Sequence, residues 1–425
     1  MKKTQDKIIR TYYTISGLFT ISASLIWGIN TLFLLHAGMS IFQVFVVNAI
    51  YSASMAIFEI PTGVFADTLG RRLAFLLSTI VLMIGTFGYA FAATLQNNFW
   101  AFGLMSVVLG LAYTLYSGTV EAWLVDALLS TGYTRPMDHV FSRSTTISSI
   151  GMLFGTVLGG FLGTLNLSIP YIVRASVILI VFGIAFIKMH DLGYTKKALA
   201  IRNIPKEMKK IASTSIEYGL KNLSVRYLMM VSFVFSSFMM WGWYAWPPYF
   251  LDLFGNAKAV WLAGIISALF SLAQVGGSLC VGPILALLKK RTRLLILAFA
   301  IQSVALIGVG ILNSFYPAVA LFLCFSFAMG LAMPVKQAYL HSLIPSEQRA
   351  SIVSFDSLVG SSGSVIGQIG YGYLSDRASI GIGYLVGGFV NLIILPVLYL
   401  LSRRKDGLDS KIEIDLESEL NIKSE

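Results

Sequence analysis

Four ionisable side chains lie where ionisable groups are costly. Glu59, Glu121, Arg174 and Lys336 each fall inside a long apolar run, away from the gaps that hold most of the charge. A charge at the centre of a bilayer costs about 2.5–3.5 kcal/mol on insertion scales, so such groups are kept where they move a proton, bind a charged ligand or pair with one another. Glu59, in Phe58-Glu59-Ile60-Pro61-Thr62, precedes Asp67 by about two helical turns. A carboxyl shielded there can load and release a proton. Glu121 stands five residues before Asp126, about 140° round a helix, so the two acids face different neighbours and Glu121 is free to face a cavity. Glu59 and Glu121 are the proton-coupling candidates; a static salt bridge is the competing reading for each. Arg174 and Lys336 are the buried cations, able to modulate an acid or receive an anion. A run of aromatic residues, Trp241, Trp243, Tyr244, Trp246, Tyr249 and Phe250, could stack on a planar or cationic substrate. Most of it reads as an interfacial belt, which leaves Trp241 and Tyr244, the deepest, as cavity candidates.

The elements that must position these groups are membrane helices. The chain has 425 residues, 56% hydrophobic and only 12% charged, where soluble domains are about a quarter charged. Its apolar residues form twelve runs, at 15–35, 41–65, 73–93, 99–128, 141–163, 171–188, 227–250, 260–288, 294–312, 318–343, 352–373 and 384–401. Each is near the roughly 20 residues that cross a bilayer as a helix. The net charge of +11 is no nucleic-acid footprint, because Lys and Arg gather in alternate short loops. One set of loops carries Arg71, Arg72, Arg135, Lys289, Lys290, Arg291, Arg293, Arg403 and Arg404, and the other only Lys258 and Arg377. The positive-inside rule then puts both termini in the cytoplasm of an inner (cell) membrane protein. The expected organisation is a six-helix half at 1–190, a cytoplasmic linker at 191–224, a second six-helix half at 225–404 and a tail at 405–425. The tail, rich in Glu413, Asp415, Glu417 and Glu419, reads as solvated.

The two halves repeat weakly, as many transporters do. Trp27-Gly28 matches Trp241-Gly242, and Glu121-Ala122-Trp123-Leu124 matches Gln337-Ala338-Tyr339-Leu340. Gly151, Gly155 and Gly160 match Gly363, Gly367 and Gly372. The segment from Gly63 to Arg72 matches that from Gly282 to Arg291, with Ala286 in place of the acid, so the second copy is expected to be the weaker lock.

Gly63, Asp67, Gly70, Arg71 and Arg72 complete the pattern G-x-x-x-D-x-x-G-R-[KR] between spans 2 and 3. In this the chain resembles the major facilitator superfamily, and span count, central loop and half-repeat extend the resemblance over essentially its whole length. The fold implied is an all-α membrane protein of twelve transmembrane helices in two six-helix halves. The resemblance makes Gly63, Asp67, Gly70, Arg71, Arg72 and Asp126 a cytoplasmic gate, with Asp67 meeting the N-terminus of helix 11 and Arg71 pairing with Asp126. Gly151, Gly155, Gly159 and Gly160 in span 5 look like the antiporter motif of drug-exporting facilitators, with Thr156 where a proline stands. Glycines at this spacing also let any neighbouring helix approach closely. The span 2 run from Glu59 to Arg71 resembles that of tetracycline and multidrug exporters, whereas span 4 lacks the arginine usual in proton-coupled members.

What is missing narrows the field. There is no G-x-x-x-x-G-K-[ST] for ATP, no metal spacing among His36, His139, His190 and His341, and no cofactor signature. Cys280 and Cys324 both lie in apolar runs and make no disulfide framework. The expectation is a monomeric carrier, not an enzyme, without cofactor or nucleic-acid partner, embedded in lipid and exchanging protons for a small amphipathic substrate. Multidrug efflux and antibiotic resistance are what the resemblance implies. Two alternatives stand: an importer or uniporter of a small anionic metabolite read by Arg174 and Lys336, and a non-transporting sensor or lipid-moving protein on the same fold.

Overall fold

The computed structural model describes residues 2–96, 98–193, 222–344, 349–404 and 409, and all regular structure among them is helical. The expected linker basic residues, Lys196, Lys197, Lys206, Lys209 and Lys210, lie outside the described residues, as does most of the tail. The first six spans comprise α1 (Lys2–Ser24), α2 (Asn30–His36), α3 (Ile41–Leu69), α4 (Arg71–Ala92), α5 (Phe99–Tyr116), α6 (Thr119–Ser130), α7 (Asp138–Leu165) and α8 (Ile169–Lys188). The remaining six comprise α9 (Leu223–Phe254), α10 (Trp261–Leu279), α11 (Val281–Leu288), α12 (Arg291–Ile311), α13 (Phe315–Leu343), α14 (Arg349–Arg377), α15 (Ile380–Leu392) and α16 (Ile394–Ser402). Ten of the described spans are long and apolar enough to cross a membrane by length and composition. The first and eleventh fall short of that measure because they carry more polar residues.

Four spans expected to be continuous are interrupted: the first between α1 and α2, the fourth between α5 and α6, the eighth between α10 and α11, the twelfth between α15 and α16. The fourth breaks at Gly118, whose φ of +68° is a left-handed conformation natural to glycine. Elsewhere, large apolar side chains such as Trp100, Leu165, Ile187, Leu279 and Tyr316 point outward. Hydrocarbon solvates such a surface, and intramembrane backbone groups are satisfied inside each helix.

The chain divides into two compact units, one of residues 1–208 with 255–268, the other of 209–254 with 269–425. In the first, α7 lies against α1 because Gly151, Gly155 and Gly159 remove the side chains that would separate them. A Cβ on Gly151 would meet the carbonyl oxygen of Gly17 at 3.2 Å, and one on Gly159 would collide with the backbone of Leu25. Gly160 instead faces the first turns of α10, where its Cβ would stand 2.7 Å from the nitrogen of Gly264. In the second unit α14 lies against α9 in the same manner, through Gly363 on Phe233 and Gly367 on Ser237.

Candidate functional site

The junction of α3 and α4 is built on one residue. Gly70 ends α3 and caps α4 at φ +113°, and a Cβ there would stand 2.6 Å from an Asp191 carboxylate oxygen. The abrupt join places Asp67 and Arg71 on one face, Nη1 of Arg71 lying 2.5 Å from Oδ1 of Asp67. Arg71 Nε also lies 3.7 Å from Oδ2 of Asp126 on α6, so three of the expected gate residues gather within one unit. Arg72 turns the other way. Its backbone N–H donates to Asp191 Oδ1 at 2.8 Å, and its Nη2 to the carbonyl of Phe186 at 2.8 Å. The segment after α8 is held further by Trp123, whose indole N–H donates to the His190 carbonyl at 2.7 Å.

Asp191 was not among the candidates read from the sequence. A single acid just past span 6 carries no motif, and only the fold brings it to the start of α4. The second unit repeats the device. Asp409 accepts hydrogen bonds from the backbone N–H of Thr292 at 2.9 Å and its hydroxyl at 2.6 Å, at the first turn of α12. Asp409 is only 6% exposed, which corrects the reading of the tail as wholly solvated: unpaired N–H groups at a helix start attract a carboxylate.

Glu121 lies in the first turn of α6, directly after the break at Gly118. It is partly buried, and its Oε2 has no hydrogen-bond partner. Glu121 thus stands at the positive end of the α6 dipole. Asp126, farther along α6, serves Arg71. Glu59 is different. It was expected to be shielded, yet it is exposed, as is Gly63 one turn later. No atom lies within 4 Å of a Cβ built on Gly63, so this face of α3 is open and protein does not desolvate the carboxyl.

Arg174 is 2% exposed on α8. One Nη donates to the Tyr113 hydroxyl at 3.2 Å, the guanidinium carbon lies 5.9 Å from that ring's centre, and Nε is buried without a partner. Lys336 is instead paired: its ammonium lies 3.3 Å from Asp356 Oδ2, with both side chains 14% exposed. Ser232 donates to the other Asp356 oxygen at 2.5 Å, tying α9, α13 and α14 together. Asp356 stood near the start of span 11 in the sequence with no signal that Lys336, twenty residues earlier, would reach it.

The aromatic run behaves unlike a belt. Trp241 is fully buried between Phe238, Tyr371 and Tyr384, with ring centres 5.7, 5.3 and 5.0 Å away. It has no free surface to offer a substrate, which removes it from the cavity candidates. Trp246, Tyr249 and Phe250 are buried too, and Tyr249 donates its hydroxyl to the Val309 carbonyl at 2.7 Å. The small residues Gly383 and Gly387 on α15 make room for Trp241 and Phe238, so the rings form the second unit's own core. Tyr244 is partly exposed.

Comparison with known proteins agrees with this architecture. A family model described as Major Facilitator Superfamily matches residues 13–301 and 228–418. The Bacillus subtilis (strain 168) protein named "Uncharacterized MFS-type transporter YxaM" is 22% identical over 412 residues, covering 95% of this chain and 98% of that protein. The class E tetracycline resistance protein of Escherichia coli is 27% identical over 146 residues, 34% of each chain. Among solved structures, the nucleoside transporter NupG superposes with a TM-score of 0.76 at 13% identity, covering 94% of this chain and all of that one. With its helical spans, its two units and its complete signature loop between α3 and α4, this multi-pass membrane chain belongs to the Major Facilitator Superfamily of secondary transporters.

Proposed function

We propose that the chain is a proton-coupled antiporter that exports small amphipathic organic compounds by alternating access, from a cell membrane in which both termini are cytoplasmic. The observation that carries this reading is Glu121: a carboxyl inside a membrane span, one oxygen buried and unpartnered, at a helix break. Among the described residues no cation pairs with it, and an acid without a fixed counter-ion can exist in both protonation states, which proton coupling requires. Its inward-moving proton is bound from one side and released to the other as the site changes access. The span 5 glycines and the partial similarity to a tetracycline resistance protein support export. Glu59, exposed on α3, is the second carboxyl candidate, and the Asp67–Arg71–Asp126 group is the gate of the cytoplasmic face.

The test uses purified protein in proteoliposomes with an imposed pH gradient, reading movement of tetracycline. Gradient-driven movement against the proton flow, lost in Glu121→Gln and kept in Glu121→Asp, is the expected outcome. Full gradient-driven transport by both Glu121→Gln and Glu59→Gln would sink the coupling assignment. Movement of substrate only down its own gradient would mark a uniporter.

A further inference from the structure

We infer that the first unit holds an organic-anion site, in which Arg174 receives the anionic group of the substrate. The inference rests on the transport reading above and names its substrate class. Arg174 is 2% exposed, and among the described residues no carboxylate pairs with it. A buried guanidinium without a counter-charge bears a large desolvation cost, and it is retained where an anion arrives to complete it. Lys336 in the second unit is the contrast: its counter-ion, Asp356, is built in.

The surroundings of Arg174 are rich in donors and aromatic faces. Tyr113 accepts from one Nη, leaving Nε free. Tyr113 is partly exposed, so its side of the cluster is the accessible one, and Tyr51 packs edge-on against it at 5.9 Å. This pairing follows from Gly110, one turn before Tyr113, where a Cβ would stand 3.1 Å from the Tyr51 carbonyl. Deeper in, Tyr171 donates to Asn30, whose amide donates to Asn48, and the Asn48 amide nitrogen is itself buried without an acceptor. Tyr89 and Ser106 share a 2.6 Å hydrogen bond, and the Tyr89 ring stacks on that of Tyr171 at 6.1 Å. Spans 1, 2, 3, 4 and 6 thus place a cation, an orphaned amide donor and aromatic rings in one cluster with no acid among these residues. The matching ligand is an aromatic carboxylate: its oxygens suit a forked guanidinium and its ring suits the Tyr113 and Tyr51 faces.

The experiment measures thermal stability of the full-length detergent-solubilised protein at constant ionic strength. The probes are benzoate, naphthalene-2-carboxylate and indole-3-acetate, each beside its neutral amide. The expected result is a Tm rise of about 2 °C or more with at least one anion and none with its amide, abolished in Arg174→Gln. Where the glutamine variant fails to fold, Arg174→Lys decides. An ammonium keeps the charge but loses the fork, so anion affinity should fall about tenfold or more. No difference between any anion and its amide in the native protein, or unchanged affinity in Arg174→Lys or Arg174→Gln, overturns the site. The two readings fail separately. Native protein that no anion stabilises but that still shows gradient-driven transport removes the anion site alone, and Arg174-dependent stabilisation without gradient-driven transport removes the proton-coupling reading alone.

Discussion

Arg71 stands between two carboxylates at unequal range, 2.5 Å from Asp67 and 3.7 Å from Asp126. Both acids are about a quarter to a third exposed, so water screens each pair and the contributions are modest. Double-mutant cycles on thermal unfolding should give a coupling of about 0.5–1 kcal/mol for Arg71 with Asp67 and less for Arg71 with Asp126. Equal couplings would mean that Arg71 sits midway between them. Lys336 and Asp356 form a drier pair, and the balance changes accordingly. Lys336→Met alone leaves Asp356 with Ser232 as its only partner among the described residues, and should cost about 2 kcal/mol. The double variant Lys336→Met with Asp356→Leu should recover much of that loss, because it removes the charge left unpaired. A double variant melting below either single one would refute this account.

At the scale of elements, glycine placement decides which helices touch. Gly155 and Gly159 bring α7 onto the backbone of α1 at Ile21 and of Leu25 just beyond it, as Gly363 and Gly367 bring α14 onto α9. Gly155→Leu is expected to force α7 away from α1 and destabilise the protein by about 3 kcal/mol. Gly183→Leu on α8 is the control: nothing lies within 4 Å of its Cβ position, and it should leave the melting temperature nearly unchanged. Similar losses at both positions would show that glycine content, not close approach, matters. The sequence spacing made the groove legible but could not name its occupant, since any helix with a small-residue face fits such a groove.

At the scale of the whole molecule, each unit carries its own carboxylate clasp. Asp191 binds the start of α4 in the first, and Asp409 the start of α12 in the second. Each lies just past the last span of its half, so the half-repeat extends into segments that differ in sequence. Asp191→Ala and Asp409→Ala should each cost about 1–2 kcal/mol. With no shared partner, the two costs should add within about 0.5 kcal/mol. A chain ended after residue 404 loses Asp409 and should be destabilised at least as much as Asp409→Ala. Melting of that chain like the full one would show that the clasp contributes nothing.

Fold class was readable from the residues because membrane spans are a composition property: about twenty apolar residues must cross the hydrocarbon whatever their neighbours. The signature loop was readable for a similar reason, since Asp67 and Arg71 meet across the Gly70 turn within five residues of chain. Two of the ionisable candidates stayed ambiguous on sequence alone. Glu59 and Glu121 look alike in their runs, yet one is exposed and the other keeps a buried, unpartnered oxygen. Arg174 and Lys336 look alike too, yet among the described residues only Lys336 pairs with an acid. Trp241 reads as a cavity lining until the glycines of α15 are seen to close round it. The amino-acid sequence by itself determined that this chain spans a membrane in twelve passes and bears the superfamily's loop. Only the tertiary structure decided which buried charges are compensated, because compensation depends on what another helix brings within about 4 Å, and that neighbour is distant in the chain.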